Sequence, residues 1–265
     1  MLVDVHAHLD RYEDKLETAL EQIRQNDIFT ISNSLDLPSY ERNLDIARSC
    51  DLVLPTFGIH PWNASEYVDC LDDLKDAIAG SPMIGEIGLD YFFIDDASRY
   101  PAQRRVFEFF LNAAREQDKV VILHTKGAEK DVFELLAKHQ VSRAIIHWYS
   151  GPLDVLEKLV DYGAYHTVGP ELLHSEHIRE IASRIPVDQL LTETDNPGGP
   201  RSFLGEMGMP VLVQDVVRRL AELYDCSRND IVQRVYQNLL DVVGGDQWLE
   251  RVYEQLLQRQ SGDTQ

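Results

Sequence analysis

The chain has 265 residues, 44% hydrophobic and 26% charged, with a formal net charge of −20. That length fits one large undivided core, while the acidic balance excludes adhesion to DNA through a broad basic surface, which needs clustered lysine and arginine. No apolar run approaches the roughly 18 residues of a membrane-spanning helix.

Met1-Leu2-Val3-Asp4-Val5-His6 has no basic leader region, so the first residues read as a strand and not as a signal peptide. Cys50, Cys70 and Cys226 are far apart and odd in number, as expected of reduced thiols in a cytoplasmic protein. The acidic charge has two readings. Either it serves solubility alone, or phosphate contacts are confined to metals and a few cations in a cleft.

Short β-branched runs alternate with amphipathic stretches of helix length. In order the runs are Leu2–His8, Thr30–Leu35, Val53–His60, Met83–Asp90, Val120–Thr125, Arg143–Trp148, Ala164–Gly169 and Leu190–Asp195. Between them, Ser65 opens a helix over Glu66–Ala79 that stops at Gly80, and Pro152 takes a first helical position after Gly151. Ser227 with Asp230 forms a capping box for a helix running to about Val243. Eight such units predict an α/β fold, a single closed (β/α)8 TIM barrel over residues 1–258, followed by a flexible tail at 259–265. A doubly wound open sheet would carry a glycine-rich loop after its first strand, where this chain has His6-Ala7-His8-Leu9-Asp10.

The chemistry-bearing residues fall at strand ends. His6 and His8 alternate with Asp4 and so share one strand face. Glu86 stands near the end of the fourth strand, and His124, His147 and Asp195 close the fifth, sixth and eighth. In a barrel all of these reach one rim, where active sites are built. Four imidazoles and two carboxylates are too many for one structural zinc; they suit two divalent ions (Zn, Mn, Co or Mg) sharing a carboxylate and activating water for hydrolysis. Asp4 reads as a support for a metal ligand, and Asp90 as either such a support or a tie for the following loop. His166 reads as structural, and His139, His174 and His177 as solvent-facing.

Together, Asp4-x-His6-x-His8-Leu9-Asp10, Gly58-Ile59-His60-Pro61, Gly85-Glu86-Ile87-Gly88-Leu89-Asp90-Tyr91, His124-Thr125-Lys126, His147-Trp148-Tyr149-Ser150-Gly151 and Glu193-Thr194-Asp195-x-Pro197 resemble the TatD family of metal-dependent deoxyribonucleases. The resemblance implies an amidohydrolase-like barrel with a binuclear site. His6, His8, Glu86 and Asp195 would hold one ion and Glu86, His124 and His147 the other. Glu86 would bridge, Asp195 would orient or deprotonate water, and His60 and Lys126 would contact the scissile phosphate. The implied activity is removal of nucleotides from DNA 3′ ends. The chain departs from the family pattern at Trp62, where many members have a second histidine, and in the 196–201 loop, where Arg201 is a candidate substrate-binding cation. These departures keep open a hydrolase of another substrate (an aminoacyl ester, an amide or a small phosphodiester) and, more remotely, a non-catalytic partner protein.

Overall fold

The computed structural model describes residues 1–244. The expected domain end at 258 and the tail at 259–265 lie outside the described residues. Eight parallel strands form in order: β1 (Leu2–Ala7), β2 (Ile28–Asn33), β3 (Val53–Thr56), β4 (Ile84–Gly88), β5 (Val121–His124), β6 (Ala144–Ile146), β7 (Tyr165–Val168) and β8 (Leu190–Thr192). Their hydrogen-bonded ladders make one arc of β1-β2-β3 and a second of β4 through β8. Two seams join the arcs. At one, Phe57 bridges Ile84 and the Gly85 N–H donates to the Phe57 carbonyl at 3.0 Å. At the other, Ala7 bridges Asn196, and the Asp195 and His8 N–H groups donate to the His6 and Asn196 carbonyls, each at 2.7 Å. With both seams made, the fold is a TIM barrel.

Helices cover the outside and bury one stripe each. Tyr100–Gln117, for example, turns Val106, Phe107, Phe110, Leu111 and Ala114 inward. Val5, Ile31, Leu54, Ile84, Ile122, Ile145 and Leu191 are all within 1% of complete burial, because a parallel strand has both faces covered. The capping box is present, with Ser227 and Asp230 each bonding the other's backbone N–H at the start of Arg228–Val243.

Three local expectations need correction. The single helix over Glu66–Ala79 is broken into Ala64–Tyr67, a 3-10 turn at Leu71–Leu74 and Lys75–Gly80. Val68-Asp69-Cys70 contains three weak helix formers, and an unbroken helix would bring the like charges of Asp69, Asp72, Asp73 and Asp76 together. Pro152 is the residue before helix Leu153–Asp161, extended at ψ 143°, and not its first residue. Finally, the strands are shorter than their apolar runs: His8 and His147 lie one residue beyond β1 and β6, Asp195 three beyond β8 and His60 four beyond β3.

Candidate metal centre

Two β-bulges aim the central side chains. The β1–β2 register slips between Asp4 and Ala7, around His6, and the β4–β5 register slips between Ile84 and Ile87, around Glu86. Each bulge adds a residue opposite its partner strand and turns the local backbone. Gly85 sits within the second, where an added Cβ would stand 2.8 Å from both Asn33 Oδ1 and Ile122 Cβ. Asp195 adopts φ +52°, a left-handed conformation that aspartate tolerates better than most residues, and this ends the ladder.

The result is a buried cluster around Glu86. Its Oε2 lies 3.3 Å from His6 Nε2 and 3.5 Å from His8 Nε2. Its Oε1 lies 2.8 Å from His124 Nδ1, 3.6 Å from His60 Nε2 and 3.7 Å from His147 Nε2. Asp195 Oδ1 stands 3.3 Å from His8 Nε2 and 3.7 Å from His6 Nε2. Three sets have donor atoms close enough together for one ion: His6 with Glu86 and His147, His6 with His8 and Asp195, and His60 with Glu86 and His124.

The far nitrogens of three imidazoles are tied down. His8 Nδ1 bonds the Asn33 carbonyl at 2.9 Å, His124 Nε2 bonds Asp90 Oδ2 at 2.9 Å, and His147 Nδ1 bonds Glu193 Oε2 at 2.6 Å. A proton held on each far nitrogen leaves a lone pair on the near one, as metal ligation requires. This donor set, with no thiolate and with its imidazoles pre-oriented, fits divalent cations.

The charges follow from the packing. Burial alone would raise the Glu86 carboxyl, but hydrogen bonds from the His124 and His6 imidazoles hold it well below the usual carboxylate range. Burial pushes His60 down to about 3, so that ring is neutral. Its Nδ1 accepts the Trp62 backbone N–H at 3.2 Å, which places the ring proton on Nε2, facing Glu86 and His124.

The structure thus brings His6, His8, His60, Glu86, His124, His147 and Asp195 together. Lys126 is largely occupied: its ammonium donates to the Trp148 carbonyl at 2.9 Å and to Ser150 Oγ at 2.8 Å, which leaves one N–H, and burial lowers its pKa. Arg201 opens the short helix Arg201–Leu204, is exposed, and has no ion pair among the described residues.

Asp4 supports candidate ligands through the backbone that carries them. Its carboxyl accepts from the Thr194 N–H at 2.9 Å and the Thr194 hydroxyl at 2.6 Å, fixing the strand end that carries Asp195, and from the His6 backbone N–H at 3.4 Å. Asp90 fills both expected roles, bonding His124 and accepting the Phe92 and Phe93 N–H groups through Oδ1 at 2.9 and 2.7 Å. Glu193, quoted in the sequence only as part of a motif, is the residue that sequence reasoning missed. His139 is not solvent-facing: its side chain is 11% exposed and bonds Asn112. His166 is fully buried, while His174 and His177 are exposed.

A parallel barrel whose rim gathers this donor set defines a metal-dependent hydrolase. The chain belongs to the TatD family: the family model described as TatD related DNase matches residues 3–244. It is 29% identical over 250 residues to the metal-dependent hydrolase YcfH of Escherichia coli strain K12, covering 89% of this chain and 93% of that one. It is 28% identical over 251 residues to the metal-dependent hydrolase YabD of Bacillus subtilis, covering 90% and 97%. The crystal structure of YjjV, a TatD homologue from Escherichia coli, superposes with a TM-score of 0.83 at 26% identity, covering 91% of this chain and 97% of that one.

Proposed function

We propose that this protein is a deoxyribonuclease that hydrolyses phosphodiester bonds at the 3′ ends of DNA, using two divalent ions (Mg²⁺, Mn²⁺ or Zn²⁺). One observation carries the reading: the two oxygens of Glu86 face different imidazole sets, His6 and His8 at Oε2 and His124, His60 and His147 at Oε1. A carboxylate so placed is suited to being shared between two ions. Asp195 would join the first set. Ions bound there supply Lewis acidity for water activation and neutralise charge on the phosphate oxygens.

The chain's own groups divide the remaining work. Asp195 has an 18% exposed side chain, and His8, His147 and His6 keep it ionised against the effect of burial, so it can accept a proton from water. The neutral His60 Nε2–H and the one unused N–H of Lys126 are donors for phosphate oxygens.

The test is nucleotide release from a 3′-labelled single-stranded DNA with Mg²⁺ or Mn²⁺, run beside Asp195→Asn. Release that disappears in the variant supports the reading. A native protein that binds two ions yet leaves the strand intact removes DNA as the substrate.

A further inference from the structure

Among the described residues, three of the five exposed large apolar side chains form one patch: Trp62 at 40% exposure, Phe92 at 71% and Phe93 at 58%. The rings meet edge to face, Trp62 with Phe93 at 5.9 Å and 80°, and Phe93 with Phe92 at 4.9 Å and 89°. Three such faces left open to water are costly unless something covers them.

The patch is fixed to the metal centre. Asp90 Oδ2 accepts the Trp62 indole N–H at 2.8 Å and bonds His124 Nε2 at 2.9 Å, while Oδ1 takes the Phe92 and Phe93 amides. The indole also packs edge-on against His60, with centroids 4.6 Å apart. Asp90 is itself held by Gln103, which accepts its N–H at 2.9 Å and donates to its carbonyl at 3.1 Å. The platform is therefore rigid and adjoins the cluster around Glu86.

Charge selects the occupant. Asp95 and Asp96 lie two and three residues past Phe93, and Arg99 beside the patch donates to the Trp62 carbonyl at 2.6 Å, so the edge offers a phosphate backbone no cluster of cations. A nucleobase has an uncharged π face and stacks on aromatic side chains regardless of sequence. Resting on the phosphodiesterase reading above, we propose that Trp62 and Phe93, flanked by Phe92, form a stacking subsite for an unpaired nucleobase beside the scissile phosphate, so that substrate is gripped by its terminal base and not by its backbone.

The experiment compares two six-nucleotide single strands, identical except that one ends in an abasic 3′ nucleotide. Binding is read in EDTA by fluorescence anisotropy of strands labelled at the 5′ end, and turnover with Mn²⁺. In the native protein the ordinary strand should bind about tenfold or more tightly than the abasic one, the scale of one base stacked on an aromatic ring. Trp62→Ala combined with Phe93→Ala should erase that preference and leave abasic binding unchanged. Trp62→Phe, which keeps a ring but loses the N–H, should retain most of it. Affinity for the ordinary strand should fall only weakly with added salt.

Equal binding of the two strands by the native protein, or equal weakening of both by the double variant, overturns the subsite. If the base preference holds in binding but no strand is cleaved, the platform stands and the phosphodiesterase reading falls. If both strands are cleaved and bound alike, the reverse is true.

Discussion

Asp90 shows how one carboxylate can organise two neighbouring functions. One oxygen serves Trp62 and His124, the other two loop amides, and these bonds hold its pKa at about 2 despite complete burial. In Asp90→Asn the shared oxygen loses its charge, and His124 is no longer forced to keep its proton on Nε2. Metal affinity should fall by about 10–100-fold with the fold intact, measured by competition with a chelator and by circular dichroism. Unchanged affinity would mean that Asp90 serves the loop alone. His166 permits a pH test that leaves the cluster untouched. Burial holds its pKa down to about 3, against about 6.5 unfolded, so its contribution to stability is present above the unfolded value and is lost as pH falls toward the folded one. His166→Leu should therefore gain stability relative to the native protein between pH 7 and 4, as measured by urea unfolding. Parallel curves for the two proteins would contradict the sign. At this scale much was legible beforehand, since His6 and His8 alternate along one run and Glu86, His124, His147 and Asp195 fall at or near the ends of others. The partners of those imidazoles were not: Glu193 is 46 residues from His147 and Asn33 is 25 from His8, and only strand pairing within the sheet brings such residues together.

Among the elements, the ladders stop early because the rim needs irregular backbone. The strand order and the barrel could be read from eight apolar runs. The bulges at His6 and Glu86 could not, since a slip of register leaves apolar content unchanged. The loop after β8 depends on close approach: a Cβ on Gly199 would fall 2.1 Å from Asp195 Oδ2 and 2.6 Å from the Trp148 ring. Gly199→Ala must push the Asp195 carboxylate or the indole aside. Its kcat should drop by about tenfold or more, the cost of misplacing a reacting group by a fraction of an ångström to an ångström, while its unfolding midpoint stays near native. A fully active Gly199→Ala would show that the loop yields without moving Asp195. In helix Arg228–Val243, Asn238 donates to the Val187 and Leu190 carbonyls at 2.8 and 2.7 Å. Asn238→Leu leaves both carbonyls unpaired beside β8 and should cost about 2–3 kcal/mol in chemical denaturation.

Across the whole molecule, the candidate ligands divide between the two arcs. His6 and His8 belong to the three-stranded arc, and Glu86, His124, His147 and Asp195 to the five-stranded one. Any ion held between Glu86 and the two β1 histidines therefore spans the seams, which otherwise rest on short runs of backbone hydrogen bonds. Such an ion acts as a clasp on a ring with two joints, and its effect should register as kinetics of opening as well as catalysis. Deuterium should enter the amides of Gly85, His8 and Asp195 faster once the ions are stripped, while amides in the middle of the five-stranded arc keep their protection. The barrel then has a built-in line of parting, and an ion bound across it would also decide how long it stays shut.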